Sequence, residues 1–384
     1  MNKNMIKNTL NRKKNIILGF LFLICSLTLK AEQSQISFDE ELTAFKTVAL
    51  PNFPNIKVPI YKSEGLEGPG VLFIHGNSSS SRAFYKQLDS DFGRKYKLFF
   101  MDLPGHGMAS KVDPSVPMPT TEDGTWPTGF KEYQEGVLES VELVANDPEV
   151  LAEIIVGWSM GGDVAINTIG SNKLPNVKGL YIFGTAPADK NVRLKEAPFR
   201  KSSALGALGM PLLPGIGLSF EFTLSLSLFR VDSKFTDPMP WYAPAAFDSS
   251  PSRGMSYLRA FFSPFVDYSN LPEFILEDGF NRSDDRFRTS LAAIALQLDP
   301  EREHINELEI LRTFESRNIK IAVGAGKHDL FLNLRYLSLL HEEGYLNTLW
   351  NSEIVIFEDA GHSPQLETSE AFNASVEEFI KSFN

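Results

Sequence analysis

Short apolar runs recur along most of the chain and are bounded by turn-forming residues. Runs of this length predict strands, and Val71–Ile74 is apolar throughout, which is typical of a strand buried on both faces of a parallel sheet. The predicted strands are Ile36–Val48, Ile56–Tyr61, Val71–Ile74, Tyr96–Met101, Ile154–Val156, Val177–Gly184, Ile319–Gly324 and Ile354–Phe357.

Stretches with helical spacing lie between these runs. Phe130, Tyr133, Val137, Val141 and Val144 recur at the spacing of one helix face. Further helices are predicted at Arg82–Leu88, Asp163–Ile169 and Thr368–Phe383. Strands that alternate with helices indicate an α/β fold with a mostly parallel, doubly wound sheet.

The alternation stops between residues 186 and 315. This block carries Pro, Gly and many Phe residues, with helical stretches but no strand–helix repeat. A structureless loop of that length is improbable in a compact domain, so the block is predicted to be a helical cap. The core then comprises residues 32–185 and 316–384.

The first 31 residues differ from the rest of the chain. They hold six basic residues and no acidic one, around an apolar run from Ile16 to Leu29. This combination predicts a signal peptide with Ala31 at the cleavage position, although Leu29 fits the small-residue preference poorly. An uncleaved membrane anchor is the alternative. We therefore expect export to the periplasm or secretion, with this segment as the part that contacts a membrane.

Charge and cysteine content exclude several functions. The formal net charge is −11 at pH 7, and loss of the six basic residues makes it −17 for residues 32–384. An acidic chain of this kind is a poor partner for nucleic acid. Cys25 is the only cysteine and lies in the N-terminal segment. Without that segment the chain can form no disulfide, cysteine nucleophile or cysteine–metal site.

A G-x-S-x-G pentapeptide, Gly157–Gly161, joins the fifth strand to a predicted helix. This strand–turn–helix context is the one that a nucleophile elbow requires. Its two glycines leave room for a crowded backbone, and Ser159 projects its hydroxyl from the apex. The N-terminus of the following helix favours negative charge there. An incidental serine at an ordinary turn is the alternative.

A serine nucleophile needs a base, and the base needs an acid that orients it. Among six histidines, His362 directly follows the last strand, at the sheet edge to which the elbow also points. Asp329 follows the seventh strand at the same edge, which gives the order Ser159, Asp329, His362. Asp189 and Asp359 are the alternatives for the acid.

The oxyanion of an acyl transfer needs fixed donors. One expected donor is the backbone N–H of Met160, the residue after the nucleophile, and the other is that of Asn77, in the loop after the third strand. A solvated loop without a role is the alternative for His75–Ser81. Asp102 precedes the elbow and is expected to brace its own turn.

Five motifs together resemble the α/β-hydrolase fold superfamily over nearly all of residues 40–384. They are Phe73–Gly76, Asp102–Gly107, Gly157–Gly161, Gly324–Asp329 and Ala360–His362. The resemblance implies an eight-stranded, mostly parallel sheet with a lid, and neither a metal nor an organic cofactor. Haloalkane dehalogenases and epoxide hydrolases of this superfamily carry aspartate at the elbow, so Ser159 argues against both.

These features predict a serine hydrolase that cleaves an ester-type carboxylic small molecule through an acyl-enzyme. Carbon–carbon, thioester and lactone hydrolysis and peracid formation use the same parts. A ligand-binding member of the fold without turnover is an alternative of another class.

The apolar residues of the cap, such as those in 205–228, have three interpretations. They indicate a pocket for an apolar acyl chain or aromatic ring, a face for a membrane, or packing against the core, which is the commonest role of apolar residues. A separate group is expected on a solvated helix face, with a clamp for a substrate carboxylate as the alternative: Arg282, Asp284, Asp285, Arg286 and Arg288.

Overall fold

The computed structural model describes most of the predicted core. The described residues are 44–111, 115–116, 131–189, 192, 194–196, 271–272, 274–275, 278–279, 282–284, 306–329 and 332–383. The predicted signal peptide or anchor, and most of the predicted cap, lie outside these residues and stay predictions. None of the helices in the described part combines the length and apolarity that crossing a bilayer requires.

Eight strands in the described part of the chain form one sheet, as the apolar runs predict. Their bounds are β1 Lys46–Ala49, β2 Lys57–Lys62, β3 Glu67–Ile74, β4 Tyr96–Met101, β5 Ala152–Trp158, β6 Gly179–Phe183, β7 Lys320–Gly326 and β8 Val355–Phe357. β1 occupies the end of the predicted first strand, whose residues 36–43 lie outside the described part.

The sheet is mostly parallel, as predicted. Its strand order is β1-β2-β4-β3-β5-β6-β7-β8. β2 runs antiparallel to β1 and β4, whereas all neighbours from β4 to β8 are parallel. The chain leaves β3 for β4 on one side and continues at β5 on the other. The carboxyl ends of β3 and β5 therefore lie at a topological switch point, where sheets of this type place their sites.

Helices connect the strands of the described part. Their bounds are α1 Tyr85–Leu88, α2 Asp91–Lys95, α3 Lys131–Asn146, α4 Met160–Gly170, α5 Glu307–Arg312, α6 Leu334–Glu342, α7 Pro364–Glu367 and α8 Ser369–Lys381. The predicted helix at Arg82–Leu88 is divided into a 3₁₀ turn, Ser81–Phe84, and α1. Ser80 caps the turn, because its hydroxyl accepts a hydrogen bond from the Arg82 N–H.

The C-terminal helix α8 covers one face of the sheet with aromatic rings. Its buried positions recur at helical spacing, at Phe372, Val376, Phe379 and Ile380. The ring of Phe372 lies 4.7 Å from that of Phe183, and the ring of Phe379 lies 5.6 Å from that of Tyr181. α8 therefore packs on β6, in the middle of the parallel part of the sheet.

The loops after β7 and β8 run side by side. The N–H of Lys327 donates to the Phe357 carbonyl, and the N–H of His328 to that of Ala360, both at 2.9 Å. A Cβ at Gly326 would lie 1.9 Å from the carbonyl oxygen of Gly361, so the approach requires glycine. This pairing brings the residues that follow the two strands toward one another.

Replacing Gly326 by alanine should destabilise the protein. The new methyl group would collide with backbone, and such overpacking costs about 2 kcal/mol. Gly136→Ala is the matched control, because its methyl group would make ordinary contacts of 3.4 Å with Leu50 and Phe53. Removing a glycine from helix α3 should stabilise by about 0.5 kcal/mol or more. Urea unfolding measures both, and wild-type stability of Gly326→Ala would contradict the close approach.

Candidate active site

The G-x-S-x-G segment forms a sharp turn between β5 and α4. Ser159 lies between the two elements with φ 51° and ψ −124°, a conformation that non-glycine residues rarely adopt. A Cβ at Gly157 would lie 2.6 Å from the carbonyl oxygen of Gly161, and one at Gly161 would lie 2.3 Å from that of Ile74. The two glycines are therefore required by the close approach of three pieces of backbone.

Backbone hydrogen bonds hold Ser159 in this strained conformation. Its N–H donates to the Phe183 carbonyl at 2.9 Å, at the end of β6. Its own carbonyl accepts from the Thr185 hydroxyl and from the Gly162 N–H, both at 2.8 Å. The position of the Ser159 hydroxyl is thus set by β5, β6 and the start of α4 together.

Three side chains that are distant in the chain form one hydrogen-bonded series. The Ser159 Oγ lies 3.0 Å from Nε2 of His362, and Nδ1 of His362 lies 2.8 Å from Oδ2 of Asp329. The exposed fractions of the three residues are 8%, 4% and 0% respectively. Because a carboxylate accepts the proton of Nδ1, the neutral ring has Nε2 available to accept from the serine hydroxyl.

The carboxylate of Asp329 is fully buried, and both of its oxygens accept hydrogen bonds. It follows β7, where the Asp329 N–H donates to the Gly326 carbonyl at 3.2 Å. Its Oδ1 accepts from the Leu332 N–H at 3.2 Å, while Oδ2 binds the histidine ring. These bonds offset the cost of burying the carboxylate.

The other acid candidates lie in different surroundings. Asp189 forms an isolated antiparallel bridge with Asn306. Asp359 is exposed. Asp102 braces its own turn, as expected, because its carboxylate accepts from the N–H groups of Ser81 and Met108 at 2.7 and 2.9 Å. Of the candidate acids, Asp329 is the one that contacts His362.

The loop after β3 lies against the turn at Ser159. A Cβ at Gly76 would lie 3.1 Å from the Cβ of Ser159. Asn77 follows and is half-buried, and Ser78 adopts a positive φ of 53°. Met160 is the first residue of α4, so its N–H belongs to the first turn, whose N–H groups have no acceptor within the helix. Both predicted oxyanion donors therefore belong to segments adjacent to Ser159.

Two buried histidines brace this loop, a role that the sequence did not indicate. His75 donates from Nδ1 to the Gly76 carbonyl at 2.8 Å and accepts at Nε2 from the Leu103 N–H at 3.0 Å. His106 accepts at Nε2 from the Ser78 N–H at 3.3 Å, and its ring lies 5.0 Å from that of His75. Their positions in turns give no local signal of a contact 28 residues away.

A segment from the predicted cap also packs on this loop. A Cβ at Gly279 would lie 3.1 Å from the Ser78 carbonyl, and the buried Asp278 pairs with Arg82 at 2.8 Å. Arg282 pairs with the same carboxylate at 3.1 Å, and Asp284 is buried. The prediction of a solvated helix face is therefore wrong for Asp284, which is buried and whose N–H donates to the Gly105 carbonyl at 2.7 Å. The side chain of Arg282 is 41% exposed, as that prediction requires, and residues 285–288 lie outside the described part.

No group of three His, Cys, Asp or Glu side chains among the described residues is arranged to hold a metal ion. The site described above consists of a hydroxyl, an imidazole, a carboxylate and backbone donors. These groups suffice for nucleophilic catalysis of acyl transfer.

Comparison with known proteins extends this description. The family model described as "Alpha/beta hydrolase family" matches residues 71–375. Protein phosphatase methylesterase 1 of Pongo abelii is 30% identical over 128 residues, which are 33% of this chain and 29% of that protein. The Homo sapiens protein is 31% identical over 124 residues, 32% of this chain and 28% of that protein. The chain thus matches less than a third of the length of these relatives.

Solved structures resemble the protein over most of its length. A variant of the N-acyl homoserine lactonase AidH, complexed with N-hexanoyl homoserine lactone, has a TM-score of 0.61 at 23% identity, covering 88% of this chain and 97% of that one. A putative aryl esterase from Burkholderia cenocepacia has a TM-score of 0.57 at 17% identity, covering 88% and 98%. At these identities the likeness is one of fold, and it confirms the predicted fold class.

The buried His75 should make stability depend on pH. Burial lowers the pKa of His75 below its ordinary value. The negative charge of Asp102 and the hydrogen bond to the Gly76 carbonyl raise the pKa, but by less than burial lowers it. As the pH falls through the unfolded pKa of about 6.5, the unfolded chain gains a proton that the native state excludes. The stability that the neutral ring contributes is thus present above that pH and lost below it.

We therefore expect wild type to lose more unfolding free energy than His75→Gln between about pH 7.5 and about pH 5.5. Glutamine keeps an acceptor but does not titrate. Denaturant unfolding at several pH values measures the difference, and parallel curves for the two proteins would contradict a neutral buried His75.

Proposed function

Because the chain belongs to the alpha/beta hydrolase family, we propose that it is a serine hydrolase that cleaves a carboxylic ester through an acyl-enzyme. The observation that carries the proposal is the buried series from the Ser159 hydroxyl through His362 to Asp329, at 3.0 and 2.8 Å. A serine hydroxyl activates as a nucleophile when a positioned base takes its proton. This series supplies that base and the acid that orients it.

The reaction begins when the Ser159 Oγ attacks the carbonyl carbon of the ester and Nε2 of His362 takes the hydroxyl proton. Asp329 holds the ring and stabilises the imidazolium. The backbone N–H groups of Met160 and Asn77 bind the oxyanion, aided by the N-terminus of α4. His362 then protonates the leaving alcohol, which leaves the acyl group on the serine.

Water completes the cycle by attacking the acyl-enzyme, and Ser159 is now the leaving group. His362 takes a proton from the water, whose oxygen attacks the acyl carbon, and then returns that proton to the Ser159 Oγ as the acid is released. One base thus serves both half-reactions. No step requires a metal or an organic cofactor.

The relatives support an ester as the substrate class. The curated relatives that match part of this chain are methylesterases by name, and a structure with the same fold is a putative aryl esterase. Lactones, which are cyclic esters, thioesters and carbon–carbon bonds remain alternatives within the same machinery. A binding protein without turnover is disfavoured by a serine that is already hydrogen-bonded to a base.

Substitution of the three residues tests this mechanism. Ser159→Ala and His362→Ala should each lower kcat on a chromogenic ester by about 10³-fold or more, as should Asp329→Asn, which favours the wrong ring tautomer. Asp189→Asn is the matched control and should retain activity within about twofold. Circular dichroism checks that each variant folds. Wild-type turnover by Ser159→Ala would rule out the proposed nucleophile.

The length of the acyl chain tests the predicted apolar pocket. Each buried CH₂ group is worth about 0.8 kcal/mol, so kcat/KM should rise about fourfold per CH₂ until the pocket is filled. The measurement compares esters of one alcohol from acetate upward, with an unsubstituted lactone and a thioester in the same panel. A kcat/KM that falls from acetate onward would contradict a roomy apolar pocket.

A further inference from the structure

The carboxylate of Glu367 binds the backbone on both sides of His362. The Gly361 N–H donates to Oε1 and Oε2 of Glu367 at 2.9 and 3.0 Å. The Ser363 N–H donates to Oε1 at 3.1 Å. One side chain thus accepts from the residue before and the residue after the histidine.

The backbone of His362 is also held from the opposite direction. Its carbonyl accepts from Nε1 of Trp158 at 2.8 Å, and Trp158 is the residue before the nucleophile. The Gly361 carbonyl lies against Gly326, where a Cβ would be 1.9 Å away. The peptide groups around the histidine are therefore fixed relative to β5 and β7, the strands that Ser159 and Asp329 follow.

Glu367 is itself anchored. It ends the short helix α7, whose carbonyls accept from neighbouring side chains: Lys86 Nζ donates to Leu366 at 2.7 Å, and Gln87 Nε2 donates to Gln365 at 3.0 Å. The backbone of α7, which carries Glu367, is therefore held by side chains of α1. Hydrogen bonds to an ionised acceptor are stronger than neutral ones.

We propose that Glu367 is a positioning residue, whose carboxylate fixes residues 361–363 and thereby aims the ring of His362 at Ser159 and Asp329. The inference rests on the proposed function, because it concerns the base of that reaction. A ring on a loosely held loop would sample orientations in which Nε2 cannot take the serine proton. Glu367 does not touch substrate, so its effect appears in the chemical step.

Glu367→Gln tests this role with almost no change in size. Glutamine offers one oxygen, while its NH₂ group would face a backbone N–H, so the clamp loses an acceptor and its charge. We expect kcat to fall about tenfold or more, because a displacement of about 1 Å can cost roughly 100-fold. KM should change by less than about twofold, because Glu367 does not contact the substrate and the substitution leaves substrate binding unchanged.

Two further variants sharpen the test. Glu370→Gln removes the charge of an exposed glutamate in the first turn of α8, three residues away, and should behave as wild type. Glu367→Asp keeps both acceptors on a shorter stem and should show a smaller loss than Glu367→Gln. A fluorophosphonate counts active sites in each preparation, so that kcat is expressed per competent site.

A Glu367→Gln protein with wild-type kcat per competent site would overturn the inference. This holds even if the preparation contains fewer competent sites than wild type, because a loss of sites without a change in kcat indicates a structural role. An equal loss in Glu370→Gln would overturn it as well. A wild-type protein that neither reacts with the fluorophosphonate nor hydrolyses esters would overturn the proposed function first and the inference with it. The wild-type arm therefore separates the two failures.

Discussion

The hydrogen bond between Asp329 and His362 joins two loops that leave neighbouring strands, β7 and β8. It spans 2.8 Å in an interior where the carboxylate is fully buried. A buried carboxylate is costly unless it is hydrogen-bonded, so the fold must deliver a donor to this point. It does so by running the two loops side by side, which in turn requires glycine at 326. The chemistry at the site and the packing of the sheet edge thus share one constraint.

The serine meets this pair through a second constraint, the strained turn after β5. Its positive φ costs free energy, which the surrounding backbone bonds from β6 and α4 offset. Because of this turn, the Ser159 hydroxyl lies at the carboxyl edge of the sheet and not on one of its faces. Since three parallel strands end there, the imidazole, the carboxylate and the hydroxyl meet although each lies on a different loop.

The sequence predicts the parts of the fold that have a local cause. Tyr96–Met101 is predicted and observed with the same bounds, because the charged residues on both sides of this largely apolar run mark where the strand begins and ends. The short helices α2 and α7 were not predicted, since four or five residues carry no helical period. The predicted helix Arg82–Leu88 begins as a 3₁₀ turn at Ser81–Phe84, and a segment of four residues is too short for its sequence pattern to distinguish a 3₁₀ turn from an α-helix.

The candidate site divides in the same way. Ser159, Asp329 and His362 were found because each lies in a motif directly after a strand, and the structure brings the three together; their catalytic role stays a prediction. The contacts of His75, His106, Asp278 and Glu367 were missed. These contacts join residues that are between 4 and about 200 positions apart. The local sequence around one partner does not predict the contact with the other.

The most direct test of the account is to identify the residue that a fluorophosphonate modifies. The intact protein is incubated with the reagent, digested, and analysed by mass spectrometry beside His362→Ala. The account predicts one phosphonyl group on Ser159 of the wild type and a reaction at least about 10³-fold slower without the imidazole. Modification of another residue, or labelling of Ser159 at the same rate in both proteins, would contradict it.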